Sequence, residues 1–179
     1  MKRPVAFLCI VVALFVASSC GSSSSPVTPT PPVSPISGDW LGEETVASLS
    51  GGECLSSALQ KDLVGYPSQF SGSFTQAGAR VAATLDIDHT GAVCTYSGTI
   101  DGSALNMDMT SCTSTHSLAV SCPEGGARDL LLQAEHVAGT IAGDRITGTF
   151  TEMDAMFVSG SRTSVGTLGT VGSFTLMRR

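Results

Sequence analysis

From residue 36 onward the chain alternates apolar and polar residues. In RVAATLDID, Val81, Ala83, Leu85 and Ile87 share one face of an extended backbone, with Thr84, Asp86 and Asp88 on the other. In SALNMDMT, Leu105, Met107 and Met109 face one way while Asn106, Asp108 and Thr110 face the other. In GSFTLMRR, Phe174 and Leu176 share a face with Arg178. A period of two with one polar side marks antiparallel strands that are wet on one face. The pattern predicts strands near 36–46, 69–76, 79–88, 92–101, 103–110, 115–121, 128–141, 145–153 and 164–178. Ala77-Gly78, Thr90-Gly91, Asp101-Gly102, Gly125-Gly126 and Gly143-Asp144 separate them, and VAGTIAGDRITGTF reads as a hairpin around the last pair.

One phrase recurs along these strands: ISGDW, FSGSF, YSGTI, VAGTI, ITGTF and VGSFTL. A glycine sits beside a small polar residue and is bracketed by apolar ones. The spacing is irregular, so this is one kind of strand used repeatedly rather than a solenoid repeat. Glycine inside strands marks bends where barrels turn sharply. One stretch differs: in ECLSSALQKDLVG, over 53–65, Leu55, Ala58, Leu59 and Leu63 are spaced near 3.6. It predicts a short helix, ended by Gly65, that lids one end of the barrel. Eight or nine strands must dispose of their edges, and closure does so. The expected fold is therefore all-β, an antiparallel up-and-down β-barrel of about eight strands with one short helix. A two-sheet sandwich is the alternative.

The first 35 residues obey different rules. Met1-Lys2-Arg3 is basic, and Val5 to Ala17 carries no charge. That run is shorter than the roughly 20 apolar residues a membrane span needs, and its small-residue end fits an export signal. Ala17-Ser18-Ser19-Cys20 resembles a bacterial lipobox, in which the cysteine is acylated and becomes the first residue. The resemblance implies lipidation of Cys20, a palmitate-type anchor to the membrane, and a place in the bacterial cell envelope facing the periplasm or the cell surface. Four serines and Pro26, Pro29, Pro31, Pro32 and Pro35 then form a linker that cannot build a core. The organisation expected is a signal peptide at 1–19, the lipidated cysteine and disordered linker at 20–35, and a barrel domain at 36–179.

Removal of Lys2 and Arg3 with the signal leaves seven basic residues against fifteen acidic ones. An acidic domain argues against nucleic acid as a partner and against electrostatic docking to anionic lipid. Four cysteines remain in the domain, Cys54, Cys94, Cys112 and Cys122, and an even number in an exported domain predicts two disulfides. The short separation favours Cys112–Cys122, which leaves Cys54–Cys94. A zinc site would be expected to show a C-x-x-C pair, and none occurs.

Gly38-Asp39-Trp40 on the first strand resembles the G-x-W of the calycin group, which includes lipocalins and avidins. The resemblance implies that Trp40 packs against an arginine from the end of the barrel. Arg178 has the parity for it, since an inward guanidinium needs an aromatic face or acceptors. Avidin-type biotin pockets use several tryptophans and this chain has one.

Candidate chemistry is sparse. Asp86 and Asp88 beside His89 offer oxygens but lack the spacing of a calcium loop, and read as a solvated strand end. Glu135 and His136 are adjacent on a strand and face opposite ways. His116 reads as part of a surface turn and Glu43-Glu44 as a wet barrel rim. No G-x-S-x-G, H-E-x-x-H or phosphate-cradling loop occurs. The expectation is a domain without catalytic role, cofactor or metal, acting as a binding or structural module toward another envelope protein. The alternative is a lipocalin-like carrier of a small apolar ligand, with Trp40, Leu105, Met107, Phe150 and Phe174 lining the interior and Arg178 at its end.

Overall fold

The structure, a computed structural model, describes residues 35–51, 60–61, 63–87, 92–113, 118–122, 126–161 and 163–179. Nine strands form one antiparallel sheet: β1 (Gly38–Ser50), β2 (Pro67–Ala77), β3 (Arg80–Ile87), β4 (Ala92–Asp101), β5 (Ala104–Cys112), β6 (Leu118–Ser121), β7 (Ala127–Ala142), β8 (Arg145–Val158) and β9 (Ser164–Arg178). From β1 to β5 and from β6 to β9, neighbours in sequence pair as a meander, and β9 returns to β1. Pairing of β5 with β7, from Ala104↔Thr140 to Asp108↔His136, closes the sheet into an eight-strand barrel. The short β6 pairs with the other half of β7, at Leu118↔Leu130 to Ser121↔Ala127, and so continues the line of β5. The closed barrel, not the sandwich, is the architecture.

Alternation sorts each strand into an inner and an outer row. The inner row supplies the core, including Trp40, Phe70, Phe74, Val81, Tyr96, Ile100, Leu105, Met107, Ile146, Phe150, Phe174 and Leu176. The repeated glycines lie in that row. A Cβ at Gly42 would strike the Phe70 ring, one at Gly172 would strike the Phe150 ring, and one at Gly98 would meet the backbone of Asn106. Within the repeated phrase Gly139 and Gly148 make room for the Phe174 ring, Gly172 for Phe150, Gly72 for Leu85 and Gly98 for the facing β5 backbone, while Gly42 makes room for Phe70 from outside the phrase. At Gly143 the need is conformational: with φ of 62° it turns the Ala142↔Arg145 hairpin at the position the sequence predicts.

Four bulges among the described residues shift the alternation where the pattern alone runs smoothly, one of them at Val165, between Met156↔Gly166 and Phe157↔Ser164. One at Thr110 separates Tyr96↔Met109 from Thr95↔Ser111. One near Gln133 separates Leu132↔Asp154 from Ala134↔Met153, and another falls between Val46 and Ser48. An extra residue flips the parity of the rest of its strand. After Thr110 it is Cys112, on the opposite parity to Met107 and Met109, that meets the inward Cys94.

The disulfide is accordingly Cys94–Cys112, between directly paired residues of β4 and β5 whose Cα atoms lie 4.0 Å apart. This corrects the expected Cys112–Cys122 and Cys54–Cys94 pairings. Cys122 is disulfide-bonded as well, and Cys54 lies outside the described residues. The predicted helix over 53–65 also falls mostly outside them. At its end the Val64 amide donates to the Gln60 carbonyl at 2.9 Å, and Gly65 comes next at φ 82°.

Peptide mapping without reduction should join the Cys94 peptide to the Cys112 peptide. Recovery of Cys112 joined to Cys122 would overturn the parity shift at Thr110.

Candidate functional site

The two ends of the barrel differ. At the end where β1 begins, Trp40 is fully buried and its ring meets Phe74 edge-on at a centroid distance of 5.9 Å. Arg178, the residue paired with Trp40 across β1 and β9, lays its guanidinium 4.8 Å from the Trp40 ring centroid. Its Nη1 donates to the Ser37 carbonyl at 2.8 Å and its Nη2 to the Pro35 carbonyl at 2.6 Å. Its Nε lies 2.9 Å from Asp144 Oδ1, an ion pair without hydrogen-bond geometry. The indole Nε1 donates to the Ile36 carbonyl at 2.9 Å. A cation held by a ring and two carbonyls satisfies what an inward arginine needs. This end is sealed.

The middle of the barrel is filled. A cavity of about 20 Å³ remains, lined by Phe70, Phe74, Met107, Phe150 and Phe174 with Glu44, Tyr96 and Glu135 on its polar side. Such a space holds roughly one water molecule. Of the expected lining residues, Met107, Phe150 and Phe174 reach it, while Trp40 and Leu105 are packed elsewhere in the core. Arg178 belongs to the sealed end.

Beyond the cavity lies a feature that the pattern of the sequence did not bring out. Glu44 of β1, Glu135 of β7, and Glu152 and Asp154 of β8 point inward and interact with one another. Glu135 and Glu152 are direct cross-strand partners, and Glu152 in turn faces the buried Thr170 of β9. Tyr96 of β4 reaches past β5 and donates its hydroxyl to Glu135 Oε2 at 2.5 Å. A second apolar cluster, Leu130, Met156 and Leu168 with Leu49 and Leu63 against it, is separate from the main core. Asp154 and Leu168 are cross-strand partners, so the carboxylates border both clusters.

Burial raises every one of these carboxyl groups. It lifts Glu44 to about 7, with Glu135 repelling it further. Asp154 rises to about 6, held back by a hydrogen bond from Glu152. Glu152 is pushed well up by burial, then by its three acidic neighbours, and it donates the proton in its bond with Asp154. Glu135 rises by burial, opposed by the Tyr96 hydroxyl and reinforced by Asp154. Burial and the same acids push Tyr96 upward too. No basic group contributes to any of these shifts. Like charges this close cannot all ionise, so the layer holds protons that the same groups would lose in water.

The remaining candidates do not join this layer. Glu44 is inward rather than on a wet rim, which corrects the expectation, while Glu43 is exposed. His136 faces outward, as its parity requires, with Nδ1 2.7 Å from Asp108 Oδ1 across the β5–β7 seam. Asp86 is exposed. Asp88, His89, His116 and Cys20 lie outside the described residues. Among the described residues no three His, Cys, Asp or Glu side chains could hold a metal ion. The missed signal was parity itself: Glu44 shares it with Trp40 and Gly42, Glu135 with Val137, and Glu152 and Asp154 with Phe150.

The chain matches no protein-family profile, no curated protein and no solved structure.

The raised carboxyl groups set the sign of the pH dependence. Between the unfolded values near 4 and the folded values of about 6 to 7, the folded domain holds protons the unfolded chain has released. Stability is greatest in acid and falls as pH rises through that window. At about 1.4 kcal/mol per pKa unit and about 2–4 °C per kcal/mol for a domain of this size, discounted for partial exposure, Tm should drop by roughly 5–10 °C from pH 5 to pH 8. Glu44→Gln should flatten part of that slope and raise Tm at pH 8. A Tm that rises with pH in both proteins would contradict the buried layer.

Proposed function

We propose that this chain is a lipid-anchored protein of the bacterial cell envelope. Its β-barrel acts as a non-catalytic binding or structural module toward another envelope component. The anchor is the acylated Cys20, carried on the Ser/Pro linker. Support for export comes from the Cys94–Cys112 bridge, since disulfides persist in oxidising compartments. The contact of Arg178 with Trp40 supports a calycin-like reading of the barrel.

The filled interior carries the choice of a surface module. Pockets for small ligands enclose about 300–1,000 Å³, and the cavity here is about 20 Å³. Carriage of a small apolar ligand, the alternative, would require the rings of Phe70, Phe150 and Phe174 to move apart against close packing.

Cys20→Ser should move the protein from the membrane fraction to the soluble fraction on cell fractionation, and unchanged membrane retention would count against the anchor. Native mass spectrometry of the purified domain should give the mass of the polypeptide alone. A reproducible added mass of a small molecule would favour the carrier.

A further inference from the structure

We propose that the barrel stands on the membrane on its sealed end and presents its carboxylate end outward. This rests on the lipid-anchor reading of Cys20. The chain reaches the barrel at Pro35, and there it is fastened. The Ile36 side chain is fully buried. Its amide donates to Gln76 Oε1 at 2.9 Å, while the Gln76 amide donates to Ser37 Oγ at 2.9 Å. Trp40 and Arg178 hold the carbonyls of Pro35, Ile36 and Ser37. The chain is therefore held from Pro35 onward, and its point of entry is fixed at the sealed end beside the hairpins at Gly78, Gly102 and Gly143.

Reach and charge favour the same orientation. The 14 residues from Gly21 to Ser34, four of them proline, span at most about 43 Å at about 3.1 Å each. β8 has 14 residues, which at about 3.3 Å each and a tilt of about 40° spans roughly 35 Å along the barrel axis. A linker of that length keeps the near end at the surface more than the far end. Arg80, Arg145, Arg178 and Arg179 all lie at the sealed end, beside Asp39, Asp101 and Asp144, although the whole chain carries a net charge of −6. Four arginine against three aspartate side chains leave this end without the net negative charge of the chain, so anionic headgroups repel it little. The opposite end carries the Ser159–Ser161 turn and Tyr66, which is 67% exposed.

The test places a clickable noncanonical residue at position 79, in the turn at the sealed end, or at position 161, in the turn at the far end. The native cysteines are left intact. Full-length protein extracted from membranes is labelled with a donor dye and reconstituted into phosphatidylethanolamine/phosphatidylglycerol vesicles bearing an acceptor lipid. Energy transfer from position 79 should be at least twofold stronger than from position 161. Inserting a 30-residue Gly/Ser spacer between Ser34 and Pro35 should bring the ratio toward one. Equal transfer, or stronger transfer from 161, in protein that floats with the vesicles overturns the orientation and leaves the anchor standing. A ratio unchanged by the spacer overturns the linker as its cause. Protein that never floats with vesicles overturns the anchor and the orientation together.

Discussion

Closure of the sheet between β5 and β7 is the constraint on which the other features depend. An open sheet of this length would leave one apolar face to be covered by something else. Pairing from Ala104↔Thr140 to Asp108↔His136 instead makes the sheet cover itself. It also fixes which side chains are inside. With Asp108 and His136 outside, Met107 and Glu135 must be inside, since neighbours on a strand take opposite faces. The acidic layer arises from the same rule that builds the core. Once the barrel is closed, no parity-respecting arrangement puts Val137 and Phe150 in the dry interior and Glu135 and Glu152 in water.

How tightly the interior fills depends on residues that contribute no side chain. The core's Trp40, Phe70, Phe74, Tyr96, Phe150 and Phe174 need room that a barrel of eight strands does not give if every inward position carries a Cβ. Gly42 and Gly172 supply it, each lying under a phenylalanine ring from a neighbouring strand. Ring and glycine interlock as large beside small, which is how cores reach crystal-like density. A water-sized cavity is left over from that packing, and it lies where the aromatic layer gives way to Glu44 and Glu135.

Much of this was legible in the sequence. Period-two alternation placed the strands within a few residues of their ends, Gly143-Asp144 gave its hairpin, and Trp40 found Arg178 by parity. The disulfide was not legible, because an extra residue at Thr110 decides which cysteine faces Cys94, and nothing in TSCT announces a bulge. Of the inward carboxylates, Glu44 carries an expectation that the structure overturns, while Glu135 keeps the parity expected of it and Glu152 and Asp154 carry no expectation. Glu43-Glu44 looks like a wet rim because adjacent acids are usually solvated, yet Glu44 has the parity of Trp40. The prior that acids lie outside outweighed the alternation that put this one inside.

The sealed end and the carboxylate end are built on different interactions. Arg178 holds Pro35–Ser37 through the Trp40 ring, two backbone carbonyls and an ion pair with Asp144. At the other end burial raises Asp154 to about 6 and Glu44 to about 7, and pushes Glu135 and Glu152 upward as well. Each proton lost there adds a charge among other carboxyl groups, and the repulsion falls on β7 and β8 near Glu135, Glu152 and Asp154. Such groups are costly to bury, and apolar residues of similar size would be cheaper. The carboxylate layer therefore ties the proton state of the domain to the packing of β7 and β8.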